Sequence, residues 1–213
     1  MDKRFKTAAQ KARTKRERID RRDRRQRERE WIMAGQAADR AGVPINFQLT
    51  LSLHHLAAEY GASERFLSLS PERQELRIWA ALRRVAQRHG VQWLALRAPE
   101  HDRTKQRHVH IGAHMPSDSA LRDAITSLER ITGVSAGWID SRGRSLGKWV
   151  HGVIAKSSGG AWMIQRDVVG EPGNPHLIAY LAKGSGKRRV VGQHRLSKDL
   201  RQLATEHMAR ATA

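Results

Sequence analysis

The sequence predicts an α+β fold: an antiparallel sheet of about five strands covered by helices and preceded by a basic helical arm. Three observations carry this. Ile45-Asn46-Phe47-Gln48-Leu49-Thr50-Leu51-Ser52-Leu53 is apolar at every odd position, the signature of a half-buried strand. Two later segments place apolar residues at helical spacing between a serine cap and a glycine stop. The first thirty residues carry 14 Lys/Arg against 6 Asp/Glu and hold almost no apolar residue beyond Phe5 and Ile19. That stretch cannot build a core.

In chain order, residues 1–42 read as the arm, helical or partly disordered, and residues 43–213 as the domain proper. The arm lacks Gly and Pro up to Gly35, and its mixed charges suit a solvent-exposed helix that forms fully against a partner. Trp31, Ile32, Met33, Ala37 and Ala38 are candidates to anchor its end, and Gly42-Val43-Pro44 breaks it. After the first strand, with Asn46, Gln48, Thr50 and Ser52 on its polar face, Ser70-Pro71 opens a helix over about 71–89. Leu76, Trp79, Leu82 and Ala86 form its inner stripe and Gly90 its stop. Strands follow at 91–97 and 107–114. A second helix starts near Ser117 or Asp118 and ends at Gly133, with Leu121, Ile125, Leu128 and Ile131 inward. Strands at 149–156 and 161–168 pair as a hairpin through Ser157-Ser158-Gly159-Gly160. A short helix begins at Asn174-Pro175 and ends at Gly184, and Ser197 caps a last helix through Leu200, Leu203 and Met208.

A formal charge of +19 on 213 residues, with Arg outnumbering Lys 30 to 10, points to a polyanionic partner. Guanidinium grips phosphate with paired hydrogen bonds, so nucleic acid is the expected partner and an anionic membrane the runner-up. With no cysteine, disulfides, thiolate zinc sites and redox motifs are excluded. No apolar run reaches the length of a membrane span and the N-terminus is charged, which predicts a cytoplasmic protein.

Two motifs carry chemistry. In His108-Val109-His110 both imidazoles project from one face of a strand while Val109 and Ile111 enter the core. The spacing alone arises by chance in about one of two chains this rich in histidine, so its surroundings decide. Two imidazoles need a further donor to hold a divalent ion, and Glu100 or His101, at the end of the preceding strand, can supply it. Glu100 is preferred, because a carboxylate beside two imidazoles suits Mg²⁺ or Mn²⁺ acting on phosphate. The second motif, Tyr180-Leu181-Ala182-Lys183, is rarer, expected about 0.1 times in a chain with two tyrosines and ten lysines. On a short helix the phenol and the ammonium share a face, and a cation lowers the cost of the developing phenolate. His176, one turn earlier, is either a helper or a solvated residue.

The succession Phe47-Gln48-Leu49-Thr50-Leu51, His108-Val109-His110, Tyr180-Leu181-Ala182-Lys183 resembles the three motifs of the HUH endonucleases. It is nearest to rolling-circle replication initiators with one catalytic tyrosine. The resemblance spans residues 45 to about 200 and implies a sheet of ferredoxin-like or RRM-like topology with the histidines on a central strand. It further implies that Tyr180 attacks a phosphodiester of single-stranded origin DNA and becomes joined to the 5′ phosphate. His108, His110 and Glu100 would hold Mg²⁺ or Mn²⁺, and Lys183 would balance charge. Gly184-Ser185-Gly186-Lys187 is followed by Arg188 where a phosphate loop needs Ser or Thr, so no Walker motif is present and unwinding would fall to a separate host helicase, synthesis to a host polymerase. Alternatives of the same chemistry are a relaxase, disfavoured by the lack of a spaced third histidine, and a single-tyrosine transposase. A different class is a non-catalytic RRM-like binder, which would carry aromatic residues on the exposed sheet face.

Overall fold

The structure is a computed structural model that describes residues 7–102, 106–144, 153–166 and 195–212. It is an α+β fold built on one seven-stranded sheet, with every ladder antiparallel. The elements are α1 (Ala8–Arg40), β1 (Phe47–Ser52), α2 (Glu64–Leu67), α3 (Pro71–Arg88), β2 (Ala95–Asp102), β3 (Gln106–Ala113), α4 (Asp118–Thr132), β4 (Ala136–Arg144), β5 (Val153–Ser157), β6 (Trp162–Arg166), β7 (Arg195–Leu196) and α5 (Lys198–Thr212). The strand order is β4-β5-β6-β1-β3-β2-β7, which makes β1 and β3 interior neighbours.

Alternation along the strands sorts residues onto two faces. Phe47, Leu49 and Leu51 of β1, Val109 and Ile111 of β3, and Trp162 and Ile164 of β6 are buried with Ile78, Leu82 and Val85 of α3 and Leu121, Ala124 and Leu128 of α4. Ser70 and Ser117 each accept a backbone N–H three residues on, starting α3 and α4 where their serine caps predict. Gly133 ends α4 in the left-handed conformation at φ 80°. The opposite face carries a second apolar cluster at the β2–β7 side, where Trp31, Ala34 and Ala38 of α1 meet Leu96 and Ala98 of β2 and Leu200 and Ala204 of α5.

Several expectations shift. The sheet has seven strands rather than about five. β4 is one of the added strands, and Ala136-Gly137-Trp138-Ile139-Asp140-Ser141-Arg142-Gly143-Arg144 shows no apolar alternation that would mark it. As an edge strand, with irregular register against β5, it needs no buried face. β7 is only two residues and has no periodicity to read. The strand expected at 91–97 begins at Ala95 and runs to Asp102. Residues 91–94 form a connection instead: the Val91 N–H donates to the Ala86 carbonyl at the end of α3, and Asp199 of α5 accepts the Trp93 N–H at 3.2 Å. Leu82, Ala86 and, partly, Trp79 of the α3 stripe pack inward as expected, but Leu76 is 47% exposed, while Glu75 faces inward and pairs with Arg97 of β2 at 3.4 Å. Met33 and Met208 are exposed rather than anchoring their helices. Asn46, expected on the polar face of the first strand, instead clamps the Met115 backbone, donating to its carbonyl at 2.9 Å and accepting from its N–H at 2.8 Å. The helix expected at 174–184 lies outside the described residues.

Candidate functional site

β1 and β3 lie side by side with Thr50 opposite His110 and Ser52 opposite His108. Residues directly opposite across an antiparallel pair share a face. The polar set of β1 and the two histidines therefore meet on the side of the sheet away from α3 and α4. β6 flanks β1 there, with Met163 opposite Thr50 and Gln165 opposite Gln48. The Asn46 clamp fixes this register at one end, and His114 Nδ1 lies 2.8 Å from the Pro44 carbonyl beside it. A slip of one residue would send both histidines into the apolar core.

The two rings stand at right angles, centroids 5.0 Å apart and planes at 88°. His110 is 4% exposed and its Nδ1 lies 3.0 Å from Thr50 Oγ1, with Gln48 Nε2 at 3.4 Å. The threonine hydroxyl orients the ring through Nδ1. His108 is half-buried. An ion about 2.1 Å from one nitrogen of each ring places the centroids about 4.6–5.3 Å apart at ligand angles of about 90–110°. The observed spacing lies in that range, as it does in the range of an ordinary edge-to-face ring pair. Two imidazoles alone leave a divalent ion undercoordinated, and among the described residues there is no group of three or more His, Asp or Glu able to hold one.

The β2–β3 register bears on the missing donor. Glu100 is the partner of His108, on the histidine face, whereas His101 pairs with Arg107 and falls on the other. Ala98 is the partner of His110, and its small side chain leaves the buried ring room on that side. Tyr180, Lys183 and His176 lie outside the described residues. Tyr60, the other tyrosine of the chain, ends a short turn after β1 with its ring against Gly159, where an added Cβ would meet it at 2.5 Å. Its hydroxyl is pushed up from the usual phenol range by its hydrogen bond to Glu59, then by the charge of that carboxylate. That raised value suits a packing residue rather than a nucleophile.

Sequence reasoning placed Thr50 and Gln48 on the polar face but not against His110. A Thr or Gln in a polar-faced strand names its face, while its partner comes from a register set about sixty residues away. His54 and His55 were passed over as well. They follow β1 in a short turn packed beside β3, their rings 4.1 Å apart, and His55 Nδ1 lies 3.1 Å from the Gly159 carbonyl. Comparison with protein-family models, with curated proteins and with solved structures finds no match to this chain.

Proposed function

We propose that the chain is a metal-dependent enzyme that nicks and rejoins single-stranded DNA, an HUH-type endonuclease initiating rolling-circle plasmid replication. The observation that carries this reading is the pair of imidazoles side by side on an interior strand, one oriented by Thr50, on the sheet face opposite the α3–α4 layer. The topology supports it too. The order β6-β1-β3-β2, with α3 joining β1 to β2 and α4 leading on from β3, is that of a ferredoxin-like or RRM-like sheet, extended here by β4 and β5 at one edge and β7 at the other. The described positions of β1, β3 and β6 on the histidine face carry Gln, Thr, Ser, His and Met rather than stacking aromatics, which argues against a plain RRM-like binder.

In this reading Tyr180 is the nucleophile. Its phenol oxygen forms a bond to the phosphorus of the scissile diester as the bond to the 3′ oxygen breaks, and the phenolic proton passes in net terms to that leaving oxygen. The products are a 5′-phosphotyrosine and a free 3′ hydroxyl, and reversal rejoins the strand. Lys183 balances charge at the phenolate and the phosphate. His108, His110 and Glu100 would hold Mg²⁺ or Mn²⁺, which supplies Lewis-acid polarisation of the phosphate when bound. The partners are single-stranded origin DNA, a host helicase and a host polymerase, in the cytoplasm. No helix of the described residues is long and apolar enough to cross a membrane.

The test is incubation of the protein with 3′-end-labelled single-stranded DNA carrying its cognate origin and Mn²⁺, followed by denaturing gel electrophoresis. A label that migrates with the protein, lost in His108→Ala and His110→Ala and on chelation, supports the proposal. Retention of full adduct in both histidine variants would remove the histidines from the chemistry.

A further inference from the structure

The basic arm has a direction. α1 is one helix of 33 residues, about 50 Å long, opened by a capping box at Thr7. Its last turns are built into the body through Trp31, Ala34 and Ala38, while residues 8–30 carry eleven Lys/Arg against five Asp/Glu. At 100° per residue, Lys15, Arg18, Arg22, Arg25 and Arg29, all exposed, fall within an arc of about 80° along about 21 Å of helix. Lys11 continues the line by position. Glu17, Asp20, Asp23, Glu28 and Glu30 all fall at least about 100° from the centre of that stripe. The remaining cations are interleaved with these acids, as in the Arg13–Glu17 pair at 3.0 Å. Trp31, Ala34 and Ala38 project about 180° from the stripe, so the acid-free cations lie on the side of α1 turned away from the body.

We infer that this stripe is a binding site for the phosphate backbone of duplex DNA, separate from the histidine face and additional to any single strand taken there. The inference stands whether or not the chain cuts DNA. Membrane insertion needs an apolar face, and the only large exposed apolar residue in this stretch is Ile19. A second copy of the helix would set like charges against each other. The stripe runs along one uninterrupted helix, which suits a stiff polyanion. A duplex presents one phosphate charge per about 1.7 Å and needs no straightening, whereas a flexible single strand must lose entropy to lie along the line. A B-form major groove, about 12 Å wide, also admits a helix of this diameter. The arm springs from the histidine side of the sheet, since Trp31 shares its apolar cluster with Ala98, the register partner of His110. Duplex gripped there flanks the strand presented to the histidines.

The test uses the full chain and two matched variants that each remove four charges: Arg18, Arg22, Arg25 and Arg29→Gln on the stripe, and Arg13, Arg16, Arg24 and Arg27→Gln on the other side. Binding of an unrelated 24-base-pair duplex, the corresponding single strand and phosphatidylserine vesicles is measured across a KCl series, with circular dichroism to check the helix. The stripe variant is expected to lower the log–log salt slope for duplex by about 3 to 4, and the opposite variant by less than about 1. A stripe variant with lysine at the same four positions should keep the slope, which separates charge from folding. Equal losses in the two glutamine variants, or a stripe loss confined to the single strand or the vesicles, would overturn the inference.

Discussion

At the scale of single residues, the site depends on Thr50 acting through His110. A hydroxyl 3.0 Å from Nδ1 orients the His110 ring. Thr50→Val keeps the shape and removes the hydrogen bond. It should weaken Mn²⁺ binding about 10- to 100-fold by titration calorimetry and shift the His110 Nδ1 resonance in ¹⁵N NMR, while Thr50→Ser restores both. An unchanged Nδ1 resonance in the valine variant would make Thr50 a packing residue only. Beneath the other face, Glu75 and Arg97 are nearly or fully buried as a pair. Glu75→Ala strands the guanidinium and should cost about 3–5 kcal/mol in denaturant unfolding. Between α3 and α4, Asp123 is held below the usual carboxylate range, first by its hydrogen bond to His89, with loss of solvent the next-largest effect and opposed to it, and then by the charges of His89 and Arg88. A carboxylate lowered in the folded state adds stability above its unfolded pKa that is lost as pH falls through the folded value. Wild type should therefore lose more stability than Asp123→Asn between about pH 5 and pH 2. A parallel decline in both would remove this link.

At the scale of elements, what the sequence shows is what repeats locally. β1, α3 and α4 announce themselves by alternation, serine caps and glycine stops, and they stand within a residue or two of where those signals put them. β4 and β7 carry no such signal, because an edge strand packs on few neighbours and a two-residue strand has no period. Only the first position of the α3 stripe departs, since the apolar Leu76 faces water and the charged Glu75 faces inward, an inversion explained by Arg97 on a strand that local pattern cannot place. For the site, the histidine pair and its face were legible, but the Thr50 contact and the parity separating Glu100 from His101 needed the ladders. One close approach holds α4 to the turn after β1. At Gly133 an added Cβ would lie 2.5 Å from the Gly61 carbonyl and 2.7 Å from the Ser63 nitrogen, at positive φ. Gly133→Ala should cost about 1–3 kcal/mol, whereas Gly90→Ala, at φ 73° but with nothing within 4 Å, should cost less. Equal losses at the two sites would mean that strain, and not contact, decides.

At the scale of the whole molecule, one sheet separates two tasks. The α3–α4 face holds most of the core, and the other face divides between the α1–α5 anchor at its β2 side and the polar histidine strip over β1 and β3. On the proposed reading the charge of +19 draws a polyanion to the molecule, and the arm carries part of that charge along a helix of 33 residues. The central claim is that a phosphodiester brought to His108 and His110 is attacked by Tyr180. The most direct measurement is peptide mapping by mass spectrometry of the covalent adduct formed with single-stranded origin DNA and Mn²⁺, on wild type and Tyr180→Phe. The nucleotide should lie on the peptide containing Tyr180 and the adduct should vanish in the phenylalanine variant. A nucleotide found on another residue, or an adduct of undiminished yield in Tyr180→Phe, would contradict it.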